Sequence, residues 1–198
     1  MRRMSWRKKK QRGKKNMPNK VRNGLVAGGL VLSATTAVIG LHEGKTNNAI
    51  KPVPTDPWTI CIGDTNDVKK GDYQTDAQCA VRFAKALPKY NVPYEKLDFD
   101  LTPAQHVAFL DQTYNIGVGA TMSSSFYKLL RSGKVSQACD HLTDWKYVAG
   151  HDCSKGNYCR GVWTRRVQMK ALCKGEIPLA TVLKSVGYSA QPDMATEK

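Results

Sequence analysis

No acidic residue occurs among the first 22 positions of this 198-residue chain, which carry 11 Lys and Arg. Such a charge block cannot bury a core, so residues 1–23 are expected to form a disordered basic tail. The remainder is nearly balanced, with 20 basic and 16 acidic residues. The net charge of +15 is therefore concentrated at one end, which argues against a chain-wide nucleic-acid coat, and no nucleic-acid partner is expected. No collagen, coiled-coil or solenoid period is visible, which removes those architectures. Apolar residues make up 41%, too many for a disordered chain, and the length suits one medium domain with appendages.

Charge is also missing from Gly24 to Leu41, an 18-residue stretch diluted by glycines and by Ser33 to Thr36. As a helix at ~1.5 Å per residue it spans about 27 Å, just enough for a thin bilayer. The basic flank would hold the tail in the cytoplasm and send the body across. Three readings compete: a cleaved signal peptide, a stable anchor, and an anchor weak enough to leave the bilayer. The signal peptide lacks a clean small-x-small site after Leu41. A buried helix of the folded body is the plain alternative, and a released anchor would end there. A start at Met17, rather than Met1 or Met4, would leave an ordinary short basic flank.

The six cysteines, Cys61, Cys79, Cys139, Cys153, Cys159 and Cys173, all lie beyond that stretch. An even number on the exported side points to three disulfides in an oxidising compartment. No Cys-x-x-Cys occurs and the four histidines show no ligand spacing, so no metal and no cofactor are expected. The pairing expected is Cys61–Cys79, Cys153–Cys159 and Cys139–Cys173, with reduced thiols as the alternative.

Local signals give a small β element followed by helices. Trp58 to Gly63 reads as a strand of a small hairpin or sheet. Thr75-Asp-Ala-Gln78 is a capping box whose helix stops at Pro88. Thr102-Pro103-Ala-Gln105 opens a second helix, with Pro at its first position. Ser123 to Ser125 caps a third, Val135 to Leu142 forms a fourth, and Gly161 to Cys173 a fifth ended by Gly175. Residues 176–198 show no strong pattern. The class is α+β, mostly helical.

His42-Glu43-Gly44, followed by Trp58-Thr59-Ile60-Cys61-Ile62-Gly63-Asp64-Thr65, resembles the active-site stretch of phage-type lysozymes, glycoside hydrolase family 24. Tyr114-Asn115-Ile116-Gly117 is similar to that family's Tyr-Asn-x-Gly turn, and Gly161 to Arg166 with Cys173 to its late Arg-Arg helix. The weakly apolar leader resembles the signal-anchor-release endolysin subgroup. Without a Cys between 24 and 41 it resembles the branch whose released anchor refolds into the enzyme.

The resemblance implies a β-hairpin lobe and a helical lobe. It also implies metal-free, inverting hydrolysis of the β-1,4 bond after N-acetylmuramic acid in peptidoglycan, causing host cell lysis. Glu43 would be the general acid, and its pKa would need raising by burial in a cleft. Thr59, 16 positions later, would help hold the attacking water. The family's Asp falls at Pro52, so the nearest acid, Asp56, is the substitute, with a turn role before Pro57 as its plain reading. Asp64 is a weaker substitute. Met169 stands where the late helix often has an acid. Arg165 and Arg166 either bind acidic groups of the substrate or pair inside the fold.

The expected divisions are a basic tail at 1–23, the anchor at 24–41, a catalytic domain at 42–175 and an extension at 176–198. Expected partners are peptidoglycan, the Sec export machinery and the host inner membrane through residues 24–41. The released form is expected to be a periplasmic monomer. A membrane-anchored binding module with a degraded lysozyme fold is the competing reading, and a tail that binds nucleic acid or acidic lipid is a third.

Overall fold

In the computed structural model, which describes residues 29–43 and 45–185, most of the uncharged stretch is a helix of the folded body. Within that helix the side chains described are Val31 and those of 33–40; the basic tail, Met17 and the first residues of the 24–41 segment lie outside the described residues. Helix α1, Gly29–Glu43, buries Val31, Ala34, Thr35, Val38 and Ile39. Their spacing of three, one, three and one is one stripe of a 3.6-residue period. The stripe packs against the later helices rather than lying free. Small residues on α1 allow close approach, and a Cβ added at Gly40 would already touch Ile62 at 3.5 Å.

A small β lobe follows. Strands β1, Thr46–Ile50, and β2, Thr59–Cys61, pair antiparallel, with Thr46 opposite Cys61 and Ile50 opposite Thr59. The unequal lengths make this ladder irregular, as a bulge does. Backbone bonds Ala49 N to Asp72 O (2.9 Å) and Gln74 N to Asn47 O (2.8 Å) bring a third segment to the other edge of β1. Among the described residues, the lobe's own core is Ile60, Cys61 and Cys79, with Ala49 and Val68 against it. So small a core needs a staple. The Cys61–Cys79 disulfide supplies one and joins β2 to the next helix.

Helix α2, Asp76–Glu95, starts at the Thr75/Gln78 capping box. The proline rule ends it at Pro88, yet it continues through both Pro88 and Pro93. An interior Pro costs about 3 kcal/mol. Burial beyond Pro88 outweighs that cost, because Asn91 and Tyr94 are fully enclosed and the Tyr94 hydroxyl donates to Phe109 O at 2.6 Å.

Helix α3, Pro103–Ile116, begins at the Thr102/Gln105 capping box and runs through the centre of the helical lobe. Every residue from His106 to Thr113 is buried, so it contacts neighbours on all sides, chiefly α1 and helix α7, Arg160–Lys174. Between α3 and α7 lie the short helices α4, Val118–Ser123, α5, Ser125–Arg131, and α6, Val135–Asp140. Ser124 caps α5, accepting from Tyr127 N at 3.1 Å. A 3-10 turn, His141–Asp144, continues from α6, so the expected helix to Leu142 changes type at its end. Strands β3, Tyr147–Val148, and β4, His151–Asp152, form a hairpin whose two turn residues, Ala149 and Gly150, both have positive φ (47° and 81°). That geometry is the tight hairpin turn whose twist matches the strands. The Cys153–Cys159 disulfide closes the loop after it, and Cys139–Cys173 ties α6 to α7. Gly175, in the left-handed region at φ 76°, ends α7. Helix α8, Leu179–Ser185, then buries Val182 and Leu183 against the common core and contacts α1.

The α2–α3 contact carries a buried polar link. His106, 3% exposed, lies with Nε2 2.6 Å from Asn91 Oδ1, and Asn91 Nδ2 donates to Glu95 Oε1 at 2.9 Å. Burial pushes the His106 imidazole down to about 4. The folded state thus resists a proton that the unfolded chain accepts near pH 6.5. Stability from this group is complete above about pH 6.5 and is lost as pH falls toward 4. Between pH 7 and 4.5 the loss should be about 2–3 kcal/mol. Urea unfolding at both pH values checks this: the drop should be smaller by about that amount in His106→Gln. An equal drop in both proteins rules the linkage out.

Candidate active site

Glu43 is the last residue of α1, and β1 begins three residues later. The backbone therefore fixes the candidate acid where the core helix hands over to the β lobe. The Glu43 side chain lies outside those described. Thr59 opens β2, half-buried, and its Oγ1 donates to Pro57 O at 3.2 Å. Asp56 lies in the connecting loop, in a turn closed by Asp56 N to Val53 O at 2.9 Å. It is half-buried, and among the described residues its carboxylate makes no ion pair. Pro52 is exposed in a bend of the same loop. One hairpin thus carries Asp56 and Thr59 three positions apart, with no hydrogen bond between their side chains among those described. Asp64 is occupied: Oδ2 accepts from Arg82 Nε at 2.8 Å and Oδ1 from Asn66 N at 2.9 Å.

A polar chain crosses beneath the end of β2. Tyr114, near the end of α3, donates its hydroxyl to Ile62 O. The neighbouring Asn115 accepts from Arg166 Nη2 through Oδ1, and Arg166 Nε donates to Trp145 O at 3.0 Å. Arg165 grips Asp111 with two parallel bonds, Nε to Oδ2 at 2.9 Å and Nη2 to Oδ1 at 3.0 Å, both side chains buried. Removing one partner of such a pair costs about 3–5 kcal/mol, because the other charge is left buried. Arg165 therefore pairs with Asp111 inside the fold and Arg166 hydrogen-bonds to Asn115 and Trp145, which ties α7 to α3 and to the hairpin root. Met169, one turn on, is fully enclosed in the core, which suits an apolar side chain there and not an acid.

Two cavities flank the end of β2. One, of about 300 Å³, lies between Thr36 and Gly40 of α1, Lys45, Ile62 and Asp76. Its wall is held by Lys45 Nζ, 2.6 Å from Asp76, whose carboxyl is lowered first by that lysine and then by Asn47. The other, of about 320 Å³, lies between Gly63 to Asn66 and the α2 face bearing Lys85, Lys89 and Tyr90, with Tyr114 behind. The sequence reading assigned that α2 face no role. Its one available signal was two lysines four residues apart, which usually mark a solvated face.

The chain matches the phage lysozyme family over residues 41–168. It is 27% identical to the SAR-endolysin of Enterobacteria phage P21 over 168 residues, covering 79% of this chain and 97% of that relative. It is 35% identical to the SAR-endolysin of Escherichia phage N15 over 133 residues, covering 61% and 73%. Among solved structures, the active form of the P1 phage endolysin superposes with a TM-score of 0.64 at 23% identity, covering 77% of this chain and 91% of that one. That superposition places the mostly helical body with its small β lobe among phage lysozyme folds. With the family match spanning well over half its length, this chain belongs to the phage lysozyme family.

Proposed function

We propose that this chain is an endolysin that hydrolyses the β-1,4 bond between N-acetylmuramic acid and N-acetylglucosamine in peptidoglycan and so lyses the host cell. The observation that carries the reading is the extent of the family match. It begins at residue 41 and runs to 168, so it takes in Glu43, the β1–β2 hairpin and most of α7. Glu43 protonates the leaving oxygen, Thr59 orients the attacking water, and Asp56 supplies the opposing carboxylate in place of the family residue absent at Pro52. Among the described residues the Thr59 hydroxyl is bonded only to a neighbouring carbonyl, which leaves a lone pair to offer that water.

The relatives named as SAR-endolysins support a two-stage life for α1. In the first stage residues 24–41 sit in the inner membrane after Sec export, with the basic tail in the cytoplasm. In the second the segment leaves the bilayer and the enzyme is periplasmic. The five buried residues of α1 cannot face lipid and the core at once, so the two stages exclude each other. Among the described residues no helix is long and apolar enough to cross a membrane. The folding unit proposed for the second stage runs from α1 to α8, wider than 42–175, because both terminal helices enter one core.

The test is product analysis. The full chain is incubated with purified sacculi, and the soluble fragments are reduced with borohydride. Hydrolysis at this bond gives new muramic acid reducing ends. Release of anhydro ends, or of reducing N-acetylglucosamine, assigns a different bond or reaction. Sedimentation with sacculi without any new reducing end favours the binding module, the reading that the proline at position 52 supports.

A further inference from the structure

We propose that the cavity of about 320 Å³ beside the end of β2 is a subsite for a carboxylate of the peptide stem that peptidoglycan carries. This rests on the peptidoglycan reading above and narrows its substrate class. Lys85 and Lys89 line the cavity one helical turn apart on α2. Like charges at this spacing repel. Elsewhere the fold answers such repulsion with acids: Asp140 lies 3.1 Å from Lys170 and 3.0 Å from Lys174. Here, among the described residues, no carboxylate answers it. The one acid in the lining, Asp64, is bound by Arg82, and neither lysine has an ion pair among the described residues. Among the described residues, Lys89 lies over the ring of Tyr90, with Nζ 5.5 Å from its centre.

The remaining walls suit a peptide. Tyr90 and Tyr114 stand with ring centres 4.8 Å apart, forming an aromatic side, and Thr65 and Asn66 bring a hydroxyl and a carboxamide. A neutral N-acetylated sugar gains nothing from two uncompensated ammonium groups. An acidic peptide attached to muramic acid does. The cavity is also lined by Gly63, four residues from Thr59, so a bound peptide would fix the glycan beside the hairpin.

Calorimetry of the full-length chain with three soluble probes tests the subsite. They are the N-acetylglucosaminyl-N-acetylmuramyl tetrapeptide, the same disaccharide with its lactyl carboxyl capped as the simple amide in place of the peptide, and the tetrapeptide form with amidated carboxylates. None contains the bond assigned to Glu43, so binding is read without turnover. The acidic probe should bind about 5- to 10-fold more tightly than the other two at low salt. That preference should vanish in K85Q/K89Q and persist in K128Q/K134Q, which loses the same charge elsewhere. Equal loss in both variants would reduce the effect to net charge and overturn the proposal, as would a preference that K85Q/K89Q retains or no preference in the parent. Displacement by inorganic phosphate at matched ionic strength as effectively as by the acidic probe would also overturn it. A chain that shows the lysine-dependent preference yet cleaves no sacculi keeps the subsite and sinks the hydrolase reading.

Discussion

Deleting residues 1–41 should leave a chain that no longer folds, whereas deleting residues 1–23 should leave the thermal midpoint unchanged. The difference lies in α1. Val31, Val38 and Ile39 are 8%, 0% and 0% exposed, and Ala34 is fully buried. Burying each large aliphatic side chain is worth about 1.5–3 kcal/mol, so three contribute on the order of 5–9 kcal/mol. Removing the helix also uncovers the apolar face of α3 that it shields. A domain of this size has only about 5–15 kcal/mol in hand. Circular dichroism and proteolysis of residues 42–198 and 24–198 provide the measurement. A cooperative transition in the shorter form near that of the longer would show that α1 is dispensable. Val38→Asp makes the same point within the full chain. It places an unpaired carboxylate in a closed core and should cost more than about 4 kcal/mol.

The same residues explain why the apolar leader was ambiguous in the sequence. A bilayer and a protein core are both low-dielectric media, and Val31, Ala34, Val38 and Ile39 suit either. Composition could not choose, because the choice depends on whether α3 offers a matching surface. Local chemistry was easier to read. The capping boxes at Thr75 and Thr102 and the terminator Gly175 act within one turn, so their helices begin or end where those residues stand. Pro88 misled because its penalty is also local, while the compensation from Tyr94 and Asn91 comes from residues 15 positions away on α3. Helix α8 and the β3–β4 hairpin left no pattern because they are seven and two-plus-two residues long and rest on tertiary contact or a turn. At the site, the strand bearing Thr59 was legible from its β-prone run. The loop from 51 to 58 was not, since Pro52 stands where the resemblance expects a carboxylate and the nearest acid, Asp56, sits in a turn before Pro57.

That loop sets the second large expectation. Glu43→Gln should lower the rate of sacculus hydrolysis about 10³-fold, the effect of removing a general acid, with little change in the unfolding midpoint. Glutamine keeps the shape at the end of α1 but cannot give up a proton to the leaving oxygen. Asp56→Asn should cost less, about 10²-fold, because it removes an opposing charge and leaves the acid in place. Thr59→Ser should cost least, since the hydroxyl that holds water is retained. Initial rates of dye release from labelled sacculi give all three numbers. The order of the first two is informative even if the magnitudes shift. With Glu43 essential and Asp56 neutral, catalysis rests on the acid and the Thr59-held water. Pro52→Asp should then raise the rate by returning a carboxylate to the loop. With Glu43→Gln retaining more than a tenth of the activity, α1 carries no acid, and the chemistry must be sought elsewhere in the fold. The test is sharp because α1 couples the two expectations. One helix closes the core with Val31 to Ile39 and ends on Glu43. A variant that harms the core lowers both stability and rate, whereas Glu43→Gln should separate them.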